Sequence, residues 1–232
     1  MEIGAATATA FQLLASGDGA IWFIVWTSLV VAVLGLAIAA VPAIGAAYLI
    51  ATHDFPGRRV VVVMAQAFLS FPTVLVGLIL YLLFTRHGPL GNFSLLFTRS
   101  GMVLGQAVIG FPVVLAFALS TLQGADARLR ETAWVLGAGR WRTFFTVLRE
   151  MRFGLMAALV AGFGRVIAEV GSALMIGGNI EGATRTITTA IALETSKGEF
   201  AQGIALGVVL IALAVLVNVM LAWLQGAGGF RR

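Results

Sequence analysis

The sequence predicts an all-α protein, a polytopic transmembrane helical bundle of about five spanning helices, and three observations carry that prediction. Of 232 residues, 60% are hydrophobic and only 11% are charged, where a soluble domain is about half apolar and about a quarter charged. The apolar residues gather into five runs, each long enough for the roughly 20 residues that a spanning helix needs. The basic residues fall mainly in alternate gaps between those runs, as the charge bias of membrane proteins requires.

The elements follow in order. Residues 1–19 hold no Lys or Arg. A cleavable signal peptide carries a basic n-region, so none is expected, and this stretch reads as an N-terminal extracytoplasmic segment. Residues 20–225 read as a single transmembrane domain. Its runs are Ile21–Ala51, Val60–Phe84, Met102–Leu122, Phe153–Ile176 and Ala201–Leu224. The first exceeds one span and is expected to tilt, kink at Pro42 or extend past the bilayer. Only the fourth contains charges, Arg165 and Glu169. Residues 226–232 read as a cytoplasmic tail.

Placing the N-terminus outside and the C-terminus inside puts most of the fifteen basic residues in the cytoplasm. Arg58 and Arg59 fall in one inside segment, and Arg231 and Arg232 in the tail. The segment between runs three and four holds Arg128, Arg130, Arg140, Arg142, Arg149 and Arg152. Arg86, Arg99, Arg185 and Lys197 remain outside. The positive-inside rule favours this N-out, C-in arrangement.

Other classes lose ground on composition. The net charge of +5 sits on a very apolar chain, where it anchors cytoplasmic loops and does not call for nucleic acid. There is no Cys, and His53 and His87 stand far apart, so no metal site is expected. No internal repeat is visible. Five spans enclose a broad gated pathway poorly alone, and a second copy around a two-fold axis solves that.

The cytoplasmic segment 123–152 carries the most information. Asp126 is a plausible N-cap. Leu129, Ala133 and Leu136 follow at helical spacing on one face, and Gly137 and Gly139 end the short helix. A helical pattern resumes from Thr143. A short rigid helix with an apolar face and Trp134 suits docking into a partner's groove. A basic amphipathic loop lying on anionic lipid is the alternative.

Glu131-Thr132-Ala133 followed by Gly137 resembles the start of the Glu-Ala-Ala coupling loop of ATP-binding-cassette importer permeases. The later Leu-Pro of that loop is missing, with Arg149-Glu150 in its place. Phe68-Leu-Ser-Phe-Pro-Thr-Val-Leu75 with His87-Gly-Pro-Leu-Gly91 resembles the second span and outer loop of molybdate-type permeases. Ala161-Gly-Phe-Gly-Arg-Val-Ile-Ala-Glu-Val-Gly171 with Gly177-Gly-Asn179 resembles their fourth span. The stretch Arg149–Ala158 is similar to the tungstate branch, which also tends to lack Leu-Pro. The resemblance covers about residues 20–225 and implies the type I importer permease fold. It implies a cell-membrane, multi-pass, non-catalytic subunit that forms a homodimer, with two ATPase subunits below and an oxyanion-binding protein outside. ATP and Mg would belong to the ATPase, and no cofactor to this chain, which also lacks a phosphate-binding Lys-Ser/Thr loop. The ATPase-coupling residues implied are Leu129, Glu131, Thr132, Ala133, Leu136 and Gly137.

Candidate pathway or gate residues are Ser70, Pro72, Thr73, Arg165, Glu169 and Asn179. Pro72 and Pro112 are expected as bends within spans, either lining the pathway or as ordinary kinks. Arg165 and Glu169, four apart, can pair. Either the pair fixes helix packing, or Arg165 attracts a dianion on the pathway. The Gly-rich segment Gly177–Thr188, with Asn179, reads as an anion nest, an outer gate, a binding-protein contact or an ordinary exposed loop. The implied cargo is a tetrahedral oxyanion, tungstate or molybdate. A sulfate or phosphate permease of the same fold is the nearest alternative, and a stand-alone anion channel or secondary transporter the rival from another class.

Overall fold

A computed structural model of the chain describes Gln12 and residues 17–229, with the backbone alone at 127 and at 224–229. The N-terminal segment through residue 16, apart from Gln12, and residues 230–232 of the tail lie outside the described residues. The described residues are helical and contain no strand.

Helix α1, Gly19–Thr52, opens on Asp18, whose carboxylate accepts from the Ala20 N–H at 2.9 Å. Its 34 residues rise about 50 Å at 1.5 Å each, well beyond the roughly 30 Å hydrocarbon layer. Pro42 sits inside it without ending it. Its last carbonyls, left open as at any helix end, are met by Arg58. That guanidinium donates to the Ile50 and Ala51 carbonyls at 2.7 and 3.2 Å and pairs with Asp54 at 3.3 Å.

The second run is two helices, α2 (Arg58–Ala67) and α3 (Thr73–Phe84), set at 93° across a short 3-10 turn. The expected kink at Pro72 is therefore a break. Proline pushes the preceding residue out of the helical region, and Phe71 is extended at φ −69°, ψ 133°. Pro72 then caps α3, its carbonyl accepting from the Leu75 and Val76 N–H groups.

Helix α4, Arg99–Gln123, is continuous through Pro112 and forms the centre of the bundle. In its most apolar stretch 72% of residues are buried, against 11% for the last long helix. It packs along α1 and against the helix Arg152–Ile167 of the fourth span. Close approach is built in at Gly35 of α1, where an added Cβ would lie 2.7 Å from the Gln106 Cβ.

Two short helices follow, α5 (Ala127–Val135) and α6 (Arg140–Glu150), and then α7 (Arg152–Ile167). The fourth run is also broken, with α7 and α8 (Gly171–Gly177) bent by 62°. Gly162 and Gly171 sit at close contacts in this span, whereas Gly164 faces open space. Helix α9 (Ile187–Lys197) is too short to span and lies between the fourth and fifth apolar runs, outside the predicted spans. It buries Ile187, Thr188, Thr189, Ala190 and Glu194 and turns at Gly198 into α10, Phe200–Gly229. The helix thus runs into the first residues of the expected tail. Among the described residues three helices, α1, α4 and α10, are long and apolar enough to cross a membrane, and counting each bent pair as one span brings the number to five.

Candidate functional site

Helix α5 is built as its sequence demands. Asp126 caps it by accepting from the Arg128 N–H at 2.9 Å. At the other end Gly137 adopts φ +78°, and the Ala138 N–H reaches back to the Ala133 carbonyl at 2.9 Å. That is the glycine-terminated stop common at helix ends. A Cβ on Gly137 would meet nothing within 4 Å, so this position needs glycine for its left-handed backbone and not for room.

The apolar face expected of α5 is divided. Ala133 is buried and Leu129 half-buried, and Leu129 lines a partly open cavity. Leu136 caps the helix, where the chain leaves the helical path, and is 81% exposed. With it stand Val135, 87% exposed, and Trp134. Trp141, at the start of α6, is also exposed. Glu131 and Thr132 lie open beside them. The outward apolar surface is thus Trp134, Val135 and Leu136, while Leu129 and Ala133 fix the helix to its own chain. Val135 and Trp141 escaped sequence reasoning because neither falls on the Leu129–Ala133 stripe.

The second cluster lies at the break between α7 and α8. Helix α7 ends at Ile167, so Glu169 stands beyond it. Arg165 Nη1 still reaches Glu169 Oε2 at 2.9 Å. The other carboxylate oxygen accepts from the Ser172 N–H at 3.1 Å, and the Glu169 carbonyl accepts from Thr188 Oγ1 at 2.7 Å. Glu169 is buried, whereas 37% of the Arg165 side chain is exposed. One carboxylate thus closes the ion pair and caps the first turn of α8.

Arg165 also faces a groove of about 530 Å³, walled mainly by apolar side chains such as Phe68, Phe71 and Val108. Thr73 and Pro112 line the same groove. Ser70 and Pro72 sit at the adjoining break, both exposed, but do not line it. The structure therefore joins Arg165, Glu169 and Thr73 into one region and leaves Asn179 elsewhere.

Asn179 adopts φ +52° in the segment after α8, and its buried Oδ1 has no partner among the described residues. That segment is ordered by its threonines and not simply an exposed loop. Thr184 Oγ1 donates to the Gly177 carbonyl and accepts from the Ile180 N–H. Arg99 Nε donates to the Ala183 carbonyl at 2.7 Å. Thr186 and Thr189 form a capping box, and Ser28 of α1 accepts from the Ile187 N–H at 2.7 Å. These contacts, with that of Thr188, tie α9 to spans one and four. Among the described residues no group of three or more His, Cys, Asp or Glu is placed to hold a metal ion.

Residues 43–227 match the model of the family described as binding-protein-dependent transport system inner membrane component. The tungstate uptake system permease protein TupB of Campylobacter jejuni is 43% identical over 71% of this chain and 69% of its own length. Its counterpart in Peptoclostridium acidaminophilum is 34% identical over 93% and 95%. The molybdenum transport system permease protein ModB of Escherichia coli is 34% identical over 77% and 82%. Permeases named for sulfate match at lower identity.

Proposed function

The chain belongs to the family of binding-protein-dependent transport system inner membrane components, and on that premise we propose that it is the permease subunit of an ATP-binding-cassette importer for tungstate or molybdate. The carrying observation is the similarity to tungstate and molybdenum permeases across most of the chain. A sulfate or phosphate permease of the same fold is the second reading, and the permeases named for sulfate match at lower identity. A stand-alone channel or secondary transporter leaves the family membership and the exposed end of α5 without a purpose.

In this reading the protein is a multi-pass component of the cell membrane, N-out and C-in, that works as a homodimer. Two ATPase subunits bind below it and hydrolyse ATP with Mg, while an oxyanion-binding protein docks outside. The permease itself catalyses nothing. Trp134, Val135 and Leu136 present an apolar end that fills a groove on the ATPase, with Glu131 and Thr132 fixing orientation and Gly137 allowing the turn. ATP binding draws the two coupling helices together, and the spans open outward. The anion then passes along a pathway to which the Arg165, Glu169 and Thr73 region belongs, with Ser70 and Pro72 at its edge and Asn179 in the segment beyond α8.

The test is uptake of tungstate or molybdate by vesicles containing the permease and its ATPase, supplied with loaded binding protein. Wild type should take up anion only with ATP. Glu131→Arg and Gly137→Val should insert normally yet lose uptake, with ATPase activity lost or no longer stimulated by the binding protein. In Gly137→Val the cause is a β-branched residue in the left-handed region, worth about 1–2 kcal/mol. Wild-type uptake and stimulation in both variants would remove α5 from the coupling role. Undiminished downhill transport by the permease without ATPase would transfer the reading to the channel.

A further inference from the structure

Arg130 of α5 is a partly buried cation with no anionic partner. Its Nε is buried and unpartnered, and among the described residues it makes no hydrogen bond or ion pair. Its guanidinium lies 5.3 Å from the centroid of the Trp134 ring, a contact that accommodates a cation but leaves its charge uncancelled. It lines a cavity of about 360 Å³ between the ends of α1 and α4 and the helix α5. Thr52, Arg58, Gln123, Asp126 and Leu129 share that wall.

Arg58 spends three N–H groups on the Ile50 and Ala51 carbonyls and on Asp54, which leaves two of the five that a guanidinium carries. Asp126 is the opposing charge, but it is exposed and caps α5 through the Arg128 N–H. With Arg58 paired to Asp54 and Asp126 open to solvent, Arg130 is the charge of the wall left without a partner. Donors without acceptors at a half-buried guanidinium are costly, and a ligand with several anionic oxygens matches the planar fork of an arginine.

We propose that this cavity is a binding site for a phosphate-type tetrahedral anionic group, held chiefly by Arg130 with Arg58 as the second cation. Two sources share that chemistry. The cavity lies at the common end of α1 and α4, two of the three helices fit to cross the bilayer. In this proposal that end reaches the phospholipid head groups, and basic pockets between spans take anionic ones. Free inorganic oxyanion is the other source. Because Arg130 sits on the same short helix as Trp134, Val135 and Leu136, the bound group steadies the exposed end of α5. The site itself stands on geometry that does not depend on the importer reading.

Trp134 supplies the reporter. The full chain, with Trp22, Trp26, Trp141 and Trp223 replaced by Phe, is placed in phosphatidylcholine nanodiscs with or without phosphatidylglycerol. The phosphatidylcholine sample is also titrated with inorganic phosphate. A change in Trp134 emission with phosphatidylglycerol alone identifies the head group as the ligand, and a saturable change with free phosphate identifies the inorganic anion. In either arm Arg130→Gln should weaken the response on the order of tenfold, the equivalent of one charge-assisted hydrogen bond. Arg128→Gln, exposed and outside the lining, should leave it intact. Native mass spectrometry of the otherwise wild-type chain, comparing lipid or phosphate retention in Arg130→Gln and Arg128→Gln, gives the same answer should the single-Trp protein fold poorly. No response in either arm, or one undiminished by Arg130→Gln, overturns the proposal.

Discussion

The two broken spans are broken for opposite reasons. Between α2 and α3 the bend of 93° is written into the backbone: Pro72 offers no N–H, Phe71 is extended, and the residues around the turn are exposed. Between α7 and α8 the bend of 62° has no proline. It is held from outside the backbone, by a buried carboxylate that pairs with Arg165, caps Ser172 and sits where Thr188 of α9 reaches its carbonyl. The first break persists whatever surrounds it. The second lasts only as long as its side-chain partners do, which makes it the break that a change of conformation can use.

The largest effect that can test this contrast is at Glu169. Glu169→Ala removes the ion pair and the cap together and leaves Arg165 facing an apolar groove. Breaking a buried pair costs about 3–5 kcal/mol. Because Arg165 is about a third exposed, solvent screening lowers that to about 2–3 kcal/mol. Thermal unfolding of the purified permease should show the loss. Arg165→Met with Glu169→Gln should recover most of it, since glutamine can still accept from the Ser172 N–H. A double variant no more stable than Glu169→Ala would mean that the pair does not hold the break. One that is stable but transports nothing would assign Arg165 directly to the anion.

The sequence makes the first break more legible than the second. A proline in an apolar run announces a bend, and only its size, a right angle and not a kink, needed the fold. In the fourth run the spacing of Arg165 and Glu169 announced a pair. Their four-residue separation also implied an unbroken helix, and it gave no sign that Glu169 lies past the helix end. The reason is that its second and third partners, Ser172 and Thr188, matter only once α8 and α9 are in place. Helix α9 was missed for the same cause. Its eleven residues are too few for a span and too polar at Thr186–Thr189 to suggest burial, until Ser28 and Glu169 supply their hydrogen bonds. On α5 the cap, the length and the glycine stop were all local and all legible. Which residues face outward was not, because that depends on how α5 lies against its own chain.

Pro72→Ala tests the proline side of the comparison with a smaller expected loss. Alanine restores an N–H and relaxes the restriction on Phe71, so the turn is free to rewind toward a continuous helix. Pro72 is exposed and its removal leaves no cavity, so stability should change by about 1 kcal/mol or less. The consequence should appear in the groove that Phe71 and Thr73 line. A spin-label pair at Met64 and Leu78, both exposed, should report a longer or broader distance distribution. An unchanged distribution would mean that packing against α4 and α8, and not proline, sets the right angle.

The smallest effect is the most selective one. Thr188→Val removes the hydrogen bond to the Glu169 carbonyl and the longer contact with the Thr186 hydroxyl at 3.3 Å, while keeping the shape of the side chain. Its direct cost is about 1 kcal/mol, to which the unpaired carbonyl adds little if water reaches it. The same substitution at Thr184, whose hydroxyl bonds only within its own segment, should cost a similar amount. The two variants differ in what they release. Thr188→Val frees the α7–α8 break from α9, so amide hydrogen exchange should quicken on both sides of the break, at residues 168–172 and in the first turn of α9. Thr184→Val should quicken exchange only within residues 178–186. Equal, local changes in the two variants would show that α9 does not restrain the break, and the bend would then rest on the Arg165–Glu169–Ser172 contacts alone.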